Sequence, residues 1–196
     1  GRHDLNTRYG REIAICLFIA VITLSVYGRV ITYDFVNFDD NLYVTANKNV
    51  QSGITLKSII WAFSFNEIAY WHPLSLISHM IDCHIFGLNA GMHHLINLFI
   101  HIASSILLFF ILKQATGALW RSAIVALLFA IHPINVESVA WITERKNVLS
   151  TFFWMLTMFA YIFYAKRPAV YRYLTVMFFF VLGLLSKPML VTLPFV

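Results

Sequence analysis

Long runs of apolar residues constrain the fold of this chain more than any other feature. Five such runs lie at residues 13–31, 95–112, 119–131, 148–164 and 171–185. A helix needs about 20 apolar residues to cross a hydrocarbon core roughly 30 Å thick. The chain is 60% hydrophobic and 12% charged, whereas soluble domains carry about 25% charged residues. The sequence therefore predicts an all-α integral membrane protein with about five complete spans and the start of a sixth at Met189.

The distribution of charge assigns each polar segment to one side of the membrane. If the helices alternate in direction, one side carries eight basic and two acidic residues, and the other carries six basic and seven acidic residues. Because cytoplasmic loops are rich in Lys and Arg, the first side, which includes residues 1–12, is predicted to be cytoplasmic. The loop at residues 32–94 and the segment 132–147 then face a periplasm or lumen. Basic loops and anionic lipid account for the net charge of +5, so no nucleic-acid partner is expected.

The long outer loop contains two predicted helices that are too short to span a bilayer. Residues 55–63 and 74–86 each place apolar side chains at helical spacing on one face. We expect both helices to lie in the membrane interface. The second also carries a polar stripe made of Ser75, Ser78, His79 and Asp82. His79 and Asp82 have a spacing that supports a metal ion, and the alternative is a solvated or internally hydrogen-bonded stripe.

The loop directly after the first apolar run contains two adjacent carboxylates, Asp39 and Asp40. Paired carboxylates just outside a bilayer can take a proton from a hydroxyl group or hold a divalent cation such as Mg²⁺ or Mn²⁺. The alternative is a solvated turn or the start of a helix, because Asp favours both positions.

Three basic residues, Arg145, Lys146 and Lys187, lie near helix ends on the predicted outer side. Cations placed there against the usual charge bias predict a bound anion, and the phosphate of a lipid-linked molecule is the natural ligand at that depth. Alternatively, Arg145 is an interfacial anchor that pairs with Glu144. A Lys–Pro pair such as Lys187-Pro188 is also a common end of a helix.

Several histidines and one further acid are open to two interpretations. His94 and His101 are seven residues apart on a predicted span, so they can ligate haem or form hydrogen bonds between helices. Glu137 is either an acid of a functional site or part of the cap of a helix that starts after Pro133. His72 precedes a helix, where it either positions the chain or contacts a substrate.

Five stretches of this sequence together resemble a known family. The longest is HPINVESVAWITERKNVL at residues 132–149, and four shorter ones, in chain order, are DFVNFDD, WHPLS, FGLN and SKPMLVTLP. They resemble the transmembrane and tetratricopeptide-repeat O-mannosyltransferases and their bacterial relatives. The resemblance covers nearly the whole chain beyond residue 33.

This resemblance implies a GT-C-type multi-helix bundle. Such enzymes move a sugar, here of the mannose type, from a polyprenyl-phosphate carrier to a hydroxyl group of a protein or glycan. Residues 13–196 would form the front part of the membrane domain, in a bacterial inner membrane, with later helices and the tetratricopeptide repeats beyond this sequence. The alternative is a non-catalytic membrane scaffold or a subunit that binds the lipid carrier, and either protein could form homo- or hetero-oligomers.

The resemblance also implies roles for individual residues. Asp39 would be the general base, and Asp40 would orient the acceptor or a divalent metal. Arg145 corresponds to an arginine that binds the carrier phosphate, with help from Lys146 and Lys187. The residues expected to support the site or contact the acceptor are His72, Glu137 and Glu144.

Overall fold

The computed structural model describes residues 2–64 and 71–195, which form helices and turns without any strand. The α-helices are α1 (Arg2–Tyr27), α2 (Lys48–Gln51), α3 (Leu56–Phe63), α4 (Pro73–Phe86), α5 (Ala90–Thr116), α6 (Leu119–Ile131), α7 (Asn135–Ala140), α8 (Arg145–Lys166) and α9 (Val170–Ser186). The 3-10 and π-helical segments are Gly28–Thr32, Asn41–Thr45, Ile142–Glu144 and Pro188–Phe195.

The described residues include three helices long and apolar enough to cross a membrane. These spans are Tyr9–Thr32, Ala90–Thr116 and Ile142–Lys166. Helices α6 and α9 are also apolar but shorter, with 13 and 17 residues. The expected all-α membrane bundle is confirmed, and the chain is an integral membrane protein. The start of a sixth span was expected at Met189, where the chain forms the 3-10 helix Pro188–Phe195.

The helices extend beyond the apolar runs that predicted them. Helix α1 begins at Arg2, although residues 1–12 were expected to precede the first helix. No proline interrupts the helix there, so its backbone hydrogen bonds continue past the edge of the apolar run. Helix α5 begins where the side chain of Asn89 accepts a hydrogen bond from the amide of Met92, and it ends at Gly117 with φ 72°.

Helix α5 is the centre of the bundle, because α1, α6 and α8 all pack against it. The start of α5 lies so close to the end of the first span that a Cβ atom on Gly91 would overlap the carbonyl oxygen of Ile31. Within α5, the hydroxyls of Ser104 and Ser105 donate 2.9 Å hydrogen bonds to carbonyls one turn earlier. These bonds satisfy polar groups inside an apolar bundle.

The buried apolar side chains form three layers along the bundle. The layer between α1, α5 and α6 consists of Ile15, Ile19, Phe109, Ala126 and Ala130. The middle layer consists of Tyr27, Val30, Leu98, Ile102, Val139 and Val148. The layer that joins the long loop to the bundle consists of Tyr43, Val44, Val50, Ala62, Leu76, Met80, Cys83 and Ile142. Because of this third layer, the loop between the first two spans is a packed part of the protein.

Helices α3 and α4 were expected to be alike, but the structure shows that they differ. In α3, Leu56 and Ile60 are 76% and 62% exposed, so their apolar side chains are available to lipid, as in an interfacial helix. Helix α4 instead packs against α5, α8 and α9 and turns His79 and Asp82 into the bundle, where both are buried. On its outer side, Ile85 is 62% exposed. The polar stripe of α4 is therefore internal.

Candidate functional site

The carboxylate of Asp40 is completely buried and joins two distant parts of the chain. Its Oδ2 atom accepts a 2.8 Å hydrogen bond from the amide of Val36. Its Oδ1 atom accepts a 3.0 Å bond from the amide of Thr143 and a second, short bond from the Thr143 hydroxyl. The acidic loop after the first span is thus attached to the segment that leads into α8.

The adjacent carboxylate of Asp39 has a different environment. Asp39 is half-buried, and its backbone carbonyl accepts hydrogen bonds from the amides of Leu42 and Tyr43. Within residues 2–64 and 71–195, its carboxylate forms no hydrogen bond or ion pair. Of the two predicted carboxylates, Asp39 is therefore the one that can accept a proton from another molecule.

Arg145 lies inside the protein with its guanidinium fully buried. Its Nη2 atom lies 2.6 Å from Oδ2 of Asp82 and 2.9 Å from the carbonyl oxygen of His93. Nη1 donates a 2.7 Å bond to Ser78, and Nε donates to the side-chain oxygen of Asn97. These contacts fix the start of α8 against α4 and α5, and they engage the group that was expected to bind a phosphate.

Lys146 and Lys187 belong to a continuous polar network on the same side of the bundle. Nζ of Lys146 lies 2.9 Å from Oε1 of Glu144, while Oε2 of Glu144 accepts a short hydrogen bond from Asn147. The side-chain oxygen of Asn147 accepts a short bond from Lys187. Both lysines are partly exposed. Glu144 follows Thr143 directly, so this network adjoins the contact that Asp40 makes.

Lys187 is positioned by a contact between helices α4 and α9. The Ser75 hydroxyl donates a 2.9 Å hydrogen bond to the carbonyl oxygen of Ser186, and both serines are buried. The amide of Lys187 donates to the carbonyl of Gly183 and closes the last turn of α9. The polar stripe of α4 therefore places the second cation of the network.

The two remaining predicted residues have contrasting positions. His72 is 2% exposed, and its ring lies 5.2 Å from the ring of Tyr43, centroid to centroid. Tyr43 in turn lies 5.4 Å from Nζ of Lys146, so His72 borders the lysine network. Glu137 is exposed in the first turn of α7, where a carboxylate is favoured by the helix dipole. The structure brings His72 near the site and leaves Glu137 outside it.

His79, Asp82 and His93 form a buried cluster whose potential metal ligands lie within 4.8 Å of one another. The rings of His79 and His93 stack at 5.8 Å, and Nδ1 of His93 lies 3.4 Å from Oδ2 of Asp82. Burial and the positive charge of Arg145 hold the pKa of His79 well below its usual value, so this ring is neutral. Asp82 already neutralises Arg145, which opposes the binding of a further cation.

In the acidic loop, the oxygens of Asp40 are already occupied by protein donors. Asp40 accepts three hydrogen bonds from the protein, so its charge is stabilised without a metal. In the described part of the chain, the cluster of His, Cys, Asp or Glu with metal-ligand spacing is the one around Asp82, and neither Asp39 nor Asp40 belongs to it. We therefore assign no step of the chemistry to a metal.

The contacts of His101 are those of a helix-packing residue. Its Nε2 atom lies 2.8 Å from the carbonyl oxygen of Ala130, which joins α5 to α6. Its ring meets Tyr27 edge-on at 5.8 Å. His94 makes a similar edge-on contact with Tyr33 at 6.1 Å. The hydrogen bond of His101 matches the interpretation of this histidine as a link between helices, whereas His94 contacts the loop that follows the first span.

Thr143, Asn97 and Asn147 are part of the site, although the sequence alone did not single them out. Thr143 and Asn147 lie directly beside the predicted charges at 144–146, and this closeness in the sequence could have identified them as site residues. Asn97 lies within an apolar span, where its side chain binds Arg145 and donates a 3.0 Å bond to the carbonyl of Trp141. A side-chain amide in such a span is costly unless it has hydrogen-bond partners. Its presence there could therefore have indicated that Asn97 binds another polar residue.

The chain is similar to protein O-mannosyl-transferases. It is 28% identical over 144 residues to TMTC1 of Mus musculus, 26% over 170 residues to TMTC4 of the same species, and 25% over 155 residues to Tmtc2 of Drosophila melanogaster. These alignments cover 69%, 74% and 75% of this chain and 15%, 22% and 16% of the relatives. The chain thus spans about a fifth of their length or less. No protein-family model and no solved structure matches it.

Proposed function

We propose that the protein is a membrane glycosyltransferase of the GT-C type. It would move a mannose-type sugar from a polyprenyl-phosphate carrier to a hydroxyl group of a protein or glycan. Similarity to protein O-mannosyl-transferases supports the transfer of a sugar to a protein. The site would face the periplasm or lumen, and the bias of basic residues toward the other side of the membrane supports that orientation.

One observation carries this proposal: Asp39, whose carboxylate has no partner among the described residues, adjoins the loop contact with the segment that carries two partly exposed lysines. Asp39 adjoins Asp40, which binds Thr143, and Thr143 precedes the network of Lys146 and Lys187. Transfer of a sugar from a phosphate carrier needs a base for the acceptor hydroxyl and positive charge around the leaving phosphate. The acidic loop supplies the base, and the segment bonded to it supplies the positive charge.

In the proposed step, the acceptor oxygen attacks the anomeric carbon of the sugar. As that bond forms, the bond between the anomeric carbon and the phosphate oxygen breaks, and its electron pair leaves with the polyprenyl phosphate. Asp39 takes the proton of the acceptor hydroxyl. The lysines stabilise the negative charge of the departing phosphate.

The geometry favours Lys146 and Lys187 as the direct contacts of the phosphate. Both lysines are partly exposed, so a phosphate can reach them and take the place of Glu144 beside Lys146, whereas Arg145 is fully buried. A direct contact from Arg145 would require its ion pair with Asp82 to open. We therefore propose that Arg145 holds the start of α8, from which Lys146 projects.

A transfer assay on membranes enriched in the protein tests this function. With a radiolabelled polyprenyl-phosphate mannose and an envelope extract as acceptor source, label should move to protein or glycan. Asp39→Asn should lower the rate roughly 100-fold or more, because it removes the general base. Asp34→Asn is the matched control: Asp34 is an exposed carboxylate of the same loop, and its replacement should leave the rate unchanged.

Three results would contradict the proposal. Full activity of Asp39→Asn would exclude its role as the base. Tight binding of the carrier without transfer, across several acceptor extracts, would favour a non-catalytic carrier-binding scaffold. Absence of both binding and transfer would exclude the phosphate site at the two lysines.

A further inference from the structure

Asp40 is the contact through which the acidic loop holds the segment before α8. One oxygen of its carboxylate accepts a hydrogen bond from the amide of Val36, and the other accepts hydrogen bonds from the amide and the hydroxyl of Thr143. Residues 40 and 143 are 103 positions apart in the chain. The buried side chain of Asp40 therefore joins the two halves of the proposed site, the base and the cations.

The burial of this carboxylate shows that the contact is specific. Asp40 and Thr143 are 0% and 1% exposed. A buried charge is costly unless it is paired or hydrogen-bonded, and in the described ranges no cation pairs with Asp40. Three donated hydrogen bonds therefore replace its hydration, and bonds to a charged acceptor are stronger than bonds between neutral groups.

The contact also determines where the reactive groups lie. Asp39 is joined to Asp40 by a peptide bond. On the other side of the contact, Glu144 follows Thr143 directly. Glu144 in turn binds Lys146 and Asn147. A shift of Thr143 would therefore move the lysines relative to Asp39.

We propose that Asp40 is a positioning residue that acts through Thr143, and that it contacts neither the acceptor nor a metal. This inference rests on the proposed function, in which Asp39 is the base and the lysines bind the carrier phosphate. It assigns different roles to two adjacent carboxylates. Asp39 reacts with the substrate, while Asp40 sets the distance between Asp39 and the phosphate.

Variants of Asp40 and Thr143 separate the two roles. Asp40→Asn keeps the size of the side chain, but its NH2 group cannot accept a hydrogen bond, so either Val36 or Thr143 loses its acceptor. Thr143→Val keeps the shape of Thr143 and removes the hydroxyl donor. Thr143→Ser retains the hydroxyl and serves as the matched control.

The decisive experiment is a double-mutant cycle in the transfer assay. Asp40→Asn and Thr143→Val should each lower kcat/KM roughly 10- to 100-fold, partly as a higher KM for the lipid-linked donor. Thr143→Ser should keep near-normal values. In the Thr143→Val background, adding Asp40→Asn should lower kcat/KM by less than a further factor of about 3, because the shared contact is already weakened. An equal loss from Asp40→Asn in both backgrounds would show that Asp40 does not act through the Thr143 hydroxyl and would overturn the proposal.

Hydrogen exchange separates failure of this proposal from failure of the proposed function. Asp40→Asn should speed exchange at the amides of Val36 or Thr143, whether or not the protein is an enzyme, since it removes an acceptor from one of them. Unchanged exchange at both amides would show that the contact does not hold the loop, even if transfer activity is present. If the unmodified protein transfers no sugar, the role in the reaction is excluded, and exchange still decides whether the contact exists.

Discussion

At the residue scale, the site combines groups that the sequence identified by charge with groups found only through their contacts. Asp39, Lys146 and Lys187 were expected to be reactive or to bind an anion, and each remains accessible to a ligand. Arg145 was expected to bind the phosphate, yet it is buried with Asp82. The sequence shows a positive charge at this position, but charge alone does not tell whether the guanidinium binds a phosphate or a carboxylate of the protein.

The pair formed by Arg145 and Asp82 gives a prediction about stability. Arg145→Gln should destabilise the protein by about 3–5 kcal/mol, since it leaves the Asp82 carboxylate buried without its cation. The double variant with Asp82→Asn should recover part of that loss. Unfolding of the purified protein in detergent, followed by circular dichroism, measures both.

The same variants distinguish a structural arginine from a phosphate ligand. If Arg145 binds the carrier phosphate directly, Arg145→Gln will lose donor affinity while its unfolding free energy stays normal. That pattern would contradict the structural role that we assign to Arg145.

At the element scale, helix α4 shows how a membrane environment inverts the usual rule for amphipathic helices. Its spacing predicted one polar and one apolar face, and both exist. The polar face turns inward, however, because hydrogen-bond partners such as Arg145 and the carbonyl of Ser186 lie there. Groups without such partners would be costly to bury near a bilayer. Helix periodicity identifies the two faces but not which of them meets the protein.

The inward face of α4 predicts a pH dependence of folding. The pKa of His79 is lowered well below its usual value in the folded protein by burial and by Arg145, so the unfolded chain binds a proton at higher pH than the folded chain does. Stability should therefore fall as pH drops below about 6.5, by at most about 1.4 kcal/mol per pH unit from this residue. Unfolding free energies at pH 7.5, 6.5 and 5.5 measure the slope.

Substitution isolates the contribution of His79 to that slope. His79→Gln should reduce the decrease in unfolding free energy between pH 6.5 and 5.5. His84→Gln is the matched control, because His84 lies exposed on the same helix, and it should leave the slope as it is. Equal slopes for all three proteins would show that His79 is not the group that titrates.

At the scale of the whole molecule, the chain is a bundle around α5 with a packed loop at one end. From the charge bias, we propose that this loop lies on the outer side of the membrane. Three helices of spanning length and two shorter ones include the five apolar runs, since backbone groups within lipid must form their hydrogen bonds inside a helix. The order of elements was therefore predictable, while their contacts were not.

The orientation of the bundle is tested by labelling lysines with a membrane-impermeant amine reagent. In intact cells that express the protein, Lys48 and Lys57, both exposed in the outer loop, should be labelled. Lys166, exposed at the end of α8, should react only after permeabilisation. Mass spectrometry of the peptides identifies the labelled sites, and the reverse pattern would contradict the predicted topology.

The sequence by itself determined that the protein is a helical membrane protein and where its apolar helices lie approximately, and it predicts which charged residues share one side of the bilayer. Hydrophobic length and charge bias are local properties, so they can be read without a fold. Only the tertiary structure decided that Asp40 binds Thr143, while the Asp39 carboxylate has no partner within residues 2–64 and 71–195. It also decided that Arg145 lies inside with Asp82. Such pairings join residues far apart in the chain, and they depend on which polar groups the packed helices bring together in a medium where an unpaired charge is costly.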